Sequence, residues 1–262
     1  MKTAKTWPLL LLALAAGVQA QDSSDRNDGS WHASLGMNAG VAPRYFGSDD
    51  YRFVIGPEFS ITNGTFFLDK RGLGAQYQSD AGFSAAAAIS ADPGRTENDR
   101  FFEVGSKKLK GMGKIKSSVL ANFSVNQEIT PELAVGGDVN LPVAGQKHRG
   151  MDYTLGVNST LPVSESDRLM LGANAHGGSS DYNRTYFGVS PEQSARSGYR
   201  QHQTKAGIYG YSATAGWEHQ LDENWTTGAN VGVMHLTGKA GDSPIVKKKT
   251  SATGMATVRY NF

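Results

Sequence analysis

Apolar and polar side chains alternate along most of this chain with a period of two residues. In residues 251–262, Val258 and Tyr260 fall on one face, whereas Thr257 and Arg259 fall on the other. Successive side chains of a β strand point to opposite faces, so the pattern predicts a strand with one apolar and one polar face. The same reasoning predicts twelve strands, at 31–42, 51–62, 65–70, 72–79, 82–91, 115–126, 133–141, 152–163, 168–176, 207–218, 225–236 and 251–262.

The region 65–79 has the weakest alternation, because Phe66, Phe67 and Leu68 are consecutive apolar residues. We interpret it as two short strands that are joined near Arg71. A single irregular strand in their place would change the pairing elsewhere, and ten strands is then the alternative count.

The connections between the predicted strands alternate in length. Five are short and rich in turn residues, and Asn63-Gly64 is a strong two-residue hairpin signal. Apart from the junction near Arg71, the other five are long, at 43–50, 92–114, 142–150, 177–205 and 238–249. This alternation predicts an all-β fold, an antiparallel transmembrane β-barrel with short periplasmic turns and long extracellular loops. Segments of ~9–11 residues suit tilted transmembrane strands.

The strands of a soluble β-sandwich or a lipocalin-like barrel would also show alternating apolar and polar residues, and these soluble folds remain the alternative. Aromatic residues near the strand ends favour the membrane barrel, because such residues form belts at the two bilayer interfaces. These residues are Tyr51, Tyr77, Tyr153, Tyr209, Trp217, Trp225 and Tyr260. The ending on Tyr260 and Phe262 resembles the C-terminal signature that the barrel assembly machinery recognises, which makes that machinery an expected partner.

The N-terminus has the three-part layout of a secretory signal peptide. Lys2 and Lys5 precede an apolar run at 7–18, and Ala20 ends a small-residue cleavage pattern. Twelve apolar residues are too few to span a bilayer, which takes ~20. A buried N-terminal helix is the alternative. We expect a signal peptide at 1–20, a short polar segment at 21–30, a barrel at 31–262, and export to the bacterial outer membrane.

The composition of the chain excludes several classes of protein. The 26 Lys and Arg nearly balance the 24 Asp and Glu, which argues against a nucleic-acid-binding protein. The absence of Cys excludes a disulfide scaffold, a Cys-ligated zinc site and a thiol nucleophile. The 32 Gly are far more than the usual ~7% of residues, and tight turns and a narrow inward face would use them. The mean hydropathy of −0.40 fits a chain in which only alternate residues meet lipid.

The histidines lack the close spacing of a metal site, and the sequence contains no catalytic motif. We therefore predict no enzyme activity, metal or cofactor, although a hydrolytic site at the barrel rim stays a third reading. Charges on the polar face should point into the lumen, and their mixed signs predict ion pairs that fill it. A selective small-solute pore is the alternative. The predicted lumen charges are Arg52, Glu58, Asp138, Asp152, Arg168, Glu218 and Arg259.

Loop 177–205 is the strongest candidate for an interaction surface. Its combination of aromatic residues and Arg suits protein recognition or the phosphates of lipopolysaccharide. An ordinary solvated loop, or a loop folded inward as a plug, is the alternative. The candidate residues are Tyr182, Arg184, Tyr186, Phe187, Arg196, Tyr199 and Arg200.

Several stretches, taken together, resemble the MltA-interacting protein (MipA)/OmpV family of outer-membrane proteins. They are 43–51, with Tyr45, Gly47, Ser48 and Tyr51, then 64–68, 71–74, 186–189, 193–194, 197–199 and 258–262. The resemblance implies a scaffold that holds the murein hydrolase MltA together with a peptidoglycan synthase at the outer membrane. The periplasmic rim would be the binding surface. A narrow pore or transporter is the second reading.

Overall fold

The computed structural model describes residues 29–262. The predicted signal peptide and most of the predicted polar segment lie outside the described residues. The described chain forms twelve antiparallel strands that close into one barrel. They are β1 His32–Pro43, β2 Tyr51–Thr62, β3 Phe66–Asp69, β4 Gly72–Gln78, β5 Phe83–Asp92, β6 Ser118–Thr130, β7 Leu133–Gly145, β8 Asp152–Pro162, β9 Asp167–Gly178, β10 Gly207–Gln220, β11 Trp225–Leu236 and β12 Thr250–Asn261.

Each strand pairs with its neighbours in sequence, and β1 pairs with β12 to close the barrel. Leu35 lies opposite Tyr260 on one side and opposite Phe59 on the other, so the closure is in register. The prediction of twelve strands is confirmed, including the division of 65–79 into two, and the ten-strand alternative is not needed.

The two faces of the wall follow the alternation in the sequence. Leu35, Leu155 and Val231 point outward and are more than half exposed. The inner face carries small polar residues and glycine. At Gly156 a Cβ atom would collide with the amide oxygen of Asn174, so the inward glycine gives that side chain its space.

Strand β10 departs from the alternation near its start. The register of β10 against β9 shifts between Ile208 and Gly210. This irregularity turns Tyr209 inward, where it is 4% exposed, while Tyr211 stays on the outer face at 53%. The expectation that Tyr209 belongs to an outer aromatic belt is therefore wrong, because a β-bulge reverses the side on which a residue lies.

The hairpin β3–β4 is too short to span the wall. β2 pairs with β1 along its whole length, but it pairs with β3 only through Ile61 and Thr62. No strand of the described chain pairs with residues 51–60 on that side. The loop 93–117 covers part of the opening, since Phe101 packs against Phe53 with ring centroids 6.3 Å apart.

The barrel has a turn end, which carries the five short turns, and a loop end, which carries the five long loops. At the loop end the chain forms helices α1 Ser180–Phe187, α2 Pro191–Ser197 and α3 Gly238–Gly241, with 3-10 turns at Lys107–Leu109 and Lys147–Arg149. No helix within residues 29–262 is long and apolar enough to cross a membrane.

The sequence of α2 explains its boundaries. Ser190 caps the helix N-terminus, and its side chain and that of Gln193 form a reciprocal capping box. Pro191 occupies the first turn, where its missing N–H costs nothing. Gly198 ends the helix with a φ of 77°, a left-handed conformation that suits glycine.

Candidate functional site

The long loops pack against one another and form a cap over the loop end of the barrel. Two apolar clusters hold the cap together. The first contains Ile115, Tyr182, Tyr186, Phe187, Tyr209, Leu236 and Ala240. The second contains Tyr45, Leu109, Met112, Val189 and Ile245, with Tyr199 packed against it. Phe187 and Ile245 are fully buried, so the cap has an interior of its own.

The predicted interaction loop divides into two parts. Its aromatic residues Tyr182, Tyr186 and Phe187 are buried inside the cap, and burial raises the pKa of both tyrosines. They are not available as a surface. The alternative of a loop folded inward describes these residues better, because packing inside the cap removes their apolar rings from water.

The polar residues of the same loop lie at the cap surface and join it to other loops. The hydroxyl of Tyr199 donates to the carbonyl of Lys108 at 2.7 Å. Arg196 donates through Nε to the carbonyl of Gly111, and Arg200 donates to that of Asp242. Arg184 pairs with Asp181 in its own helix.

The family-motif residues fasten the first loop to the last one. Tyr45 donates its hydroxyl to the carbonyl of Ile245 at 3.0 Å, and burial raises its pKa. Gly47 adopts a φ of 84°, and its carbonyl accepts from the backbone amides of Lys247 and Lys248. Ser48 is fully buried. These residues are therefore structural elements of the cap.

Tyr51, the last family-motif residue, lies on the outer face at the start of β2. Its hydroxyl accepts from the backbone amide of Ala252 at 3.1 Å. Beside it, Lys108 bridges Asp49 and Asp50 at 2.7 and 2.9 Å. The hydrogen bond from Lys108 holds the pKa of Asp49 below its usual range.

A charged cluster crosses the lumen near the turn end. The guanidinium of Arg259 lies 3.0 Å from Glu218 and 3.7 Å from Glu58. Arg168 lies directly opposite Glu218 in the pairing of β9 with β10. Gly36 sits between Glu58 and Arg259 in the register, and its lack of a side chain leaves the path between the two charges clear. Here the predicted lumen charges meet as ion pairs.

The remaining predicted lumen charges are not paired in this way. Asp152 accepts a hydrogen bond from Asn140 at 2.8 Å, and Asp138 accepts a longer one at 3.5 Å. Arg52 is 4% exposed, and its Nε and Nη1 atoms have no partner in the described chain. The prediction that ion pairs fill the lumen therefore fits the turn end, whereas amides rather than cations hold the two aspartates.

A second feature of the structure is a strong separation of charge between the two ends. The five turns (63–65, 79–82, 131–132, 163–166 and 221–224) contain five acidic residues and no Lys, Arg or His. The five loops (44–50, 93–117, 146–151, 179–206 and 237–249) contain 18 Lys and Arg against 8 Asp and Glu. The acidic turn residues, which we call the acidic rim, are Asp80, Glu132, Glu165, Asp222 and Glu223.

All five acidic-rim residues are exposed, but their carboxylates differ in their local bonds. Asp222 accepts from the backbone amides of Asn224 and Trp225, both at 2.8 Å, so it shapes its own turn. Asp80, Glu165 and Glu223 make no hydrogen bond or ion pair within the described chain. These three carboxylates are free to contact another molecule.

The cap also contains a cleft of about 360 Å³, which lies between loop 93–117 and the helical loop 179–206. Arg95 and Ile115 exchange backbone hydrogen bonds at 2.9 Å in both directions, which places Lys114 next to Arg95. On the opposite side, Gln193 donates to the carbonyl of Met112 at 2.6 Å and holds α2 against the same loop. The charged residues that line the cleft are Arg95, Lys114, Arg184, Arg196 and Glu192.

The outer face carries an aromatic belt at the turn end. Trp225 packs edge-on against Tyr260, and Tyr260 packs against Phe262, with ring centroids 5.1 and 4.9 Å apart. Such belts mark the interface between lipid and water. Together with twelve antiparallel strands, short turns and long loops, the belt defines an outer-membrane β-barrel protein, a class in which the short turns face the periplasm.

Comparison with solved structures agrees with this class. The chain is similar to an outer membrane channel from Pseudomonas putida F1, with 9% identity, a TM-score of 0.50, and coverage of 92% of this chain and 100% of that chain. The KdgM porin (9% identity, 88% and 99% covered, TM-score 0.41) and the NanC porin (9%, 87% and 98%, 0.44) are also similar. At these identities the likeness concerns the fold alone.

The sequence also matches the family described as MltA-interacting protein MipA over residues 35–262. The chain therefore belongs to the MipA family. A comparison with curated proteins gives no match.

Proposed function

We propose that this protein is a closed outer-membrane scaffold whose acidic rim binds a periplasmic enzyme of peptidoglycan remodelling. The observation that carries the proposal is the contrast between the two ends. The cap closes the loop end with a buried apolar interior, whereas the turn end presents five exposed acidic residues on a rigid barrel. The family takes its name from a protein that interacts with MltA, and a murein hydrolase works on the periplasmic side.

The charge of the rim defines the kind of surface that would bind there. Asp80, Glu165 and Glu223 have no partners among residues 29–262, so a basic surface would gain ion pairs without breaking any that the structure describes. Peptidoglycan itself carries carboxylates, and the rim would repel it. The complementary partner is therefore a basic protein surface, and complementary charge would mainly raise the rate of association.

The test is the association of the purified barrel with a purified MltA-type hydrolase in detergent, measured by surface plasmon resonance. We expect the triple variant Asp80→Asn, Glu165→Gln and Glu223→Gln to weaken binding by about tenfold, chiefly through the association rate. The matched control is Asp80→Glu, Glu165→Asp and Glu223→Asp, which keeps the charge and should bind as the native protein does. Equal binding by the neutral triple variant, or no binding by the native protein, would contradict the proposal.

A narrow pore is the second candidate, and the opening beside β2 favours it. A solute would enter sideways between β2 and β5, beneath Phe101, instead of through the cap. Single-channel recording in planar bilayers distinguishes the two functions. Stepwise conductance that disappears when cysteines introduced at Phe53 and Phe101 are cross-linked would support the pore, and the absence of steps would support the scaffold.

A further inference from the structure

The cleft in the cap has the composition of an anion-binding site. Four cationic side chains and one carboxylate line its 360 Å³, and the carboxylate of Glu192 is already bound by the hydroxyl of Ser190 at 2.7 Å. The bond from Ser190 holds the pKa of Glu192 below its usual range, so this one negative charge is internally satisfied.

Arg95 gives the strongest indication of a missing ligand. Its side chain is 4% exposed, Nη1 donates to the carbonyl of Tyr186 at 2.9 Å, and Nε has no partner in the described chain. Burying a charged donor without a partner costs free energy, so proteins rarely leave one unused. Because Arg95 lines the cleft, an anion placed there would satisfy the unused donor.

Two exposed cations of the cleft, Lys114 and Arg196, make no ion pair within the described residues. Arg196 donates a hydrogen bond through Nε to the carbonyl of Gly111, but a neutral carbonyl does not compensate the charge of a guanidinium. Lys114 directly precedes Ile115, the residue that bonds to the backbone of Arg95, and its side chain makes no ion pair within the described residues. Arg184 shares the cleft while it pairs with Asp181.

We propose that this cleft binds a phosphate monoester carried on a sugar, with Arg95 as the buried donor and Lys114 and Arg196 as the exposed cations. A planar guanidinium binds two phosphate oxygens at once, and several cations are needed because a phosphate carries close to two charges. The cleft opens among the loops on the outer side of the membrane, where phosphorylated glycolipids form the surface. This inference does not depend on the partner of the acidic rim.

The test measures binding of glucosamine 1-phosphate, inorganic phosphate and uncharged glucosamine to the full purified barrel in neutral detergent by isothermal titration calorimetry. We expect the phosphosugar to bind and glucosamine to fail. Arg196→Gln and Lys114→Gln should each weaken binding by about tenfold or more, because each removes a charge-assisted contact. Lys205→Gln removes the same charge from an exposed position outside the cleft and should leave binding unchanged.

Arg95→Gln is the sharper variant, but it changes a buried residue. Its fold is checked by the heat-dependent mobility shift of the barrel in gel electrophoresis, and Arg95→Lys, which keeps the charge, should recover part of the binding. Equal affinity of native protein and both exposed variants, or equal affinity for phosphosugar and glucosamine, would overturn the proposal.

Vesicles distinguish the source of the phosphate. Barrels inserted into vesicles with lipid A in the outer leaflet should lose access to soluble glucosamine 1-phosphate if the lipid occupies the cleft. Vesicles with dephosphorylated lipid A provide the control and should leave the cleft free. Undiminished binding in the first vesicles identifies a soluble phosphosugar as the ligand, and it keeps the cleft as the site.

Discussion

Replacement of Arg259 by Gln tests whether the lumen cluster stabilises the barrel. The change removes the guanidinium between Glu58 and Glu218 and leaves two carboxylates that face each other in the lumen. The side chains are 15%, 19% and 23% exposed for Arg259, Glu58 and Glu218, so water reaches them only in part.

The magnitude follows from these distances. At 3.0 Å and an effective dielectric constant of about 20, the pair with Glu218 attracts by about 5.5 kcal/mol before desolvation is subtracted. Breaking a fully buried pair costs about 3–5 kcal/mol, and partial exposure reduces the loss. We expect Arg259→Gln to lower the free energy of unfolding by about 2–3 kcal/mol.

The assay is equilibrium unfolding in guanidinium chloride and detergent, followed by the intrinsic fluorescence of the tryptophans. The triple variant Arg259→Gln, Glu58→Gln and Glu218→Gln should recover most of the loss, because it removes the stranded charges as well. Lys248→Gln, at an exposed position of the cap, should have no effect. A loss of less than about 0.5 kcal/mol for the single variant, or a triple variant as unstable as the single one, would refute the reasoning.

Two further predictions concern the cap. Phe187→Ala should empty a fully buried position, destabilise the cap by about 3–5 kcal/mol and speed hydrogen exchange in α1 and α2, while the exchange of the barrel strands stays unchanged. The second concerns Asp49, whose pKa is lowered in the folded cap. The ionised carboxylate therefore stabilises the cap above the unfolded pKa, and this stabilisation is lost as the pH falls through the folded pKa. The protection factors of the amides in residues 44–50, which compare their exchange with that of an unfolded chain at the same pH, should therefore fall as the pH drops below the ordinary Asp pKa of about 3.9, and Lys108→Gln should remove most of that dependence.

The sequence was sufficient to predict the barrel, because the alternation that places Val258 outward and Arg259 inward holds in nearly every strand. Strand pairing then brought Glu58, Glu218 and Arg259 together, since all three lie on the predicted inner face. The turn at Asn63-Gly64 also follows from local preference, because Gly64 adopts a φ of 86°.

The cap could not be predicted in the same way, because loops have no periodic pattern. Tyr182 and Phe187 look like recognition residues in the sequence, but they are buried in one cluster with Leu236, at the end of β11. Tyr209 changes sides at an irregularity that no local signal marks. The pairing of Arg95 with Ile115 joins residues twenty positions apart, and only the folded loop shows that it creates a cleft.

The acidic rim was readable from the sequence, and a count of charge in each connection would have found it. The near-zero net charge of the chain concealed it, because the acidic rim and the acidic residues of the strands together offset most of the positive charge of the loops. The two ends nevertheless act separately. Strands of about 12 residues at ~3.3 Å per residue, tilted by ~40°, hold them roughly 30 Å apart, whereas charges in physiological salt are screened within ~8 Å. A partner at the turn end therefore meets only the acidic rim, and a ligand at the loop end meets only the cations of the cap.

It follows that the neutral rim variants should leave phosphosugar binding unchanged, and that Arg196→Gln should leave enzyme binding unchanged. Coupling between the two measurements would mean that the ends communicate through the barrel wall instead of acting as separate surfaces.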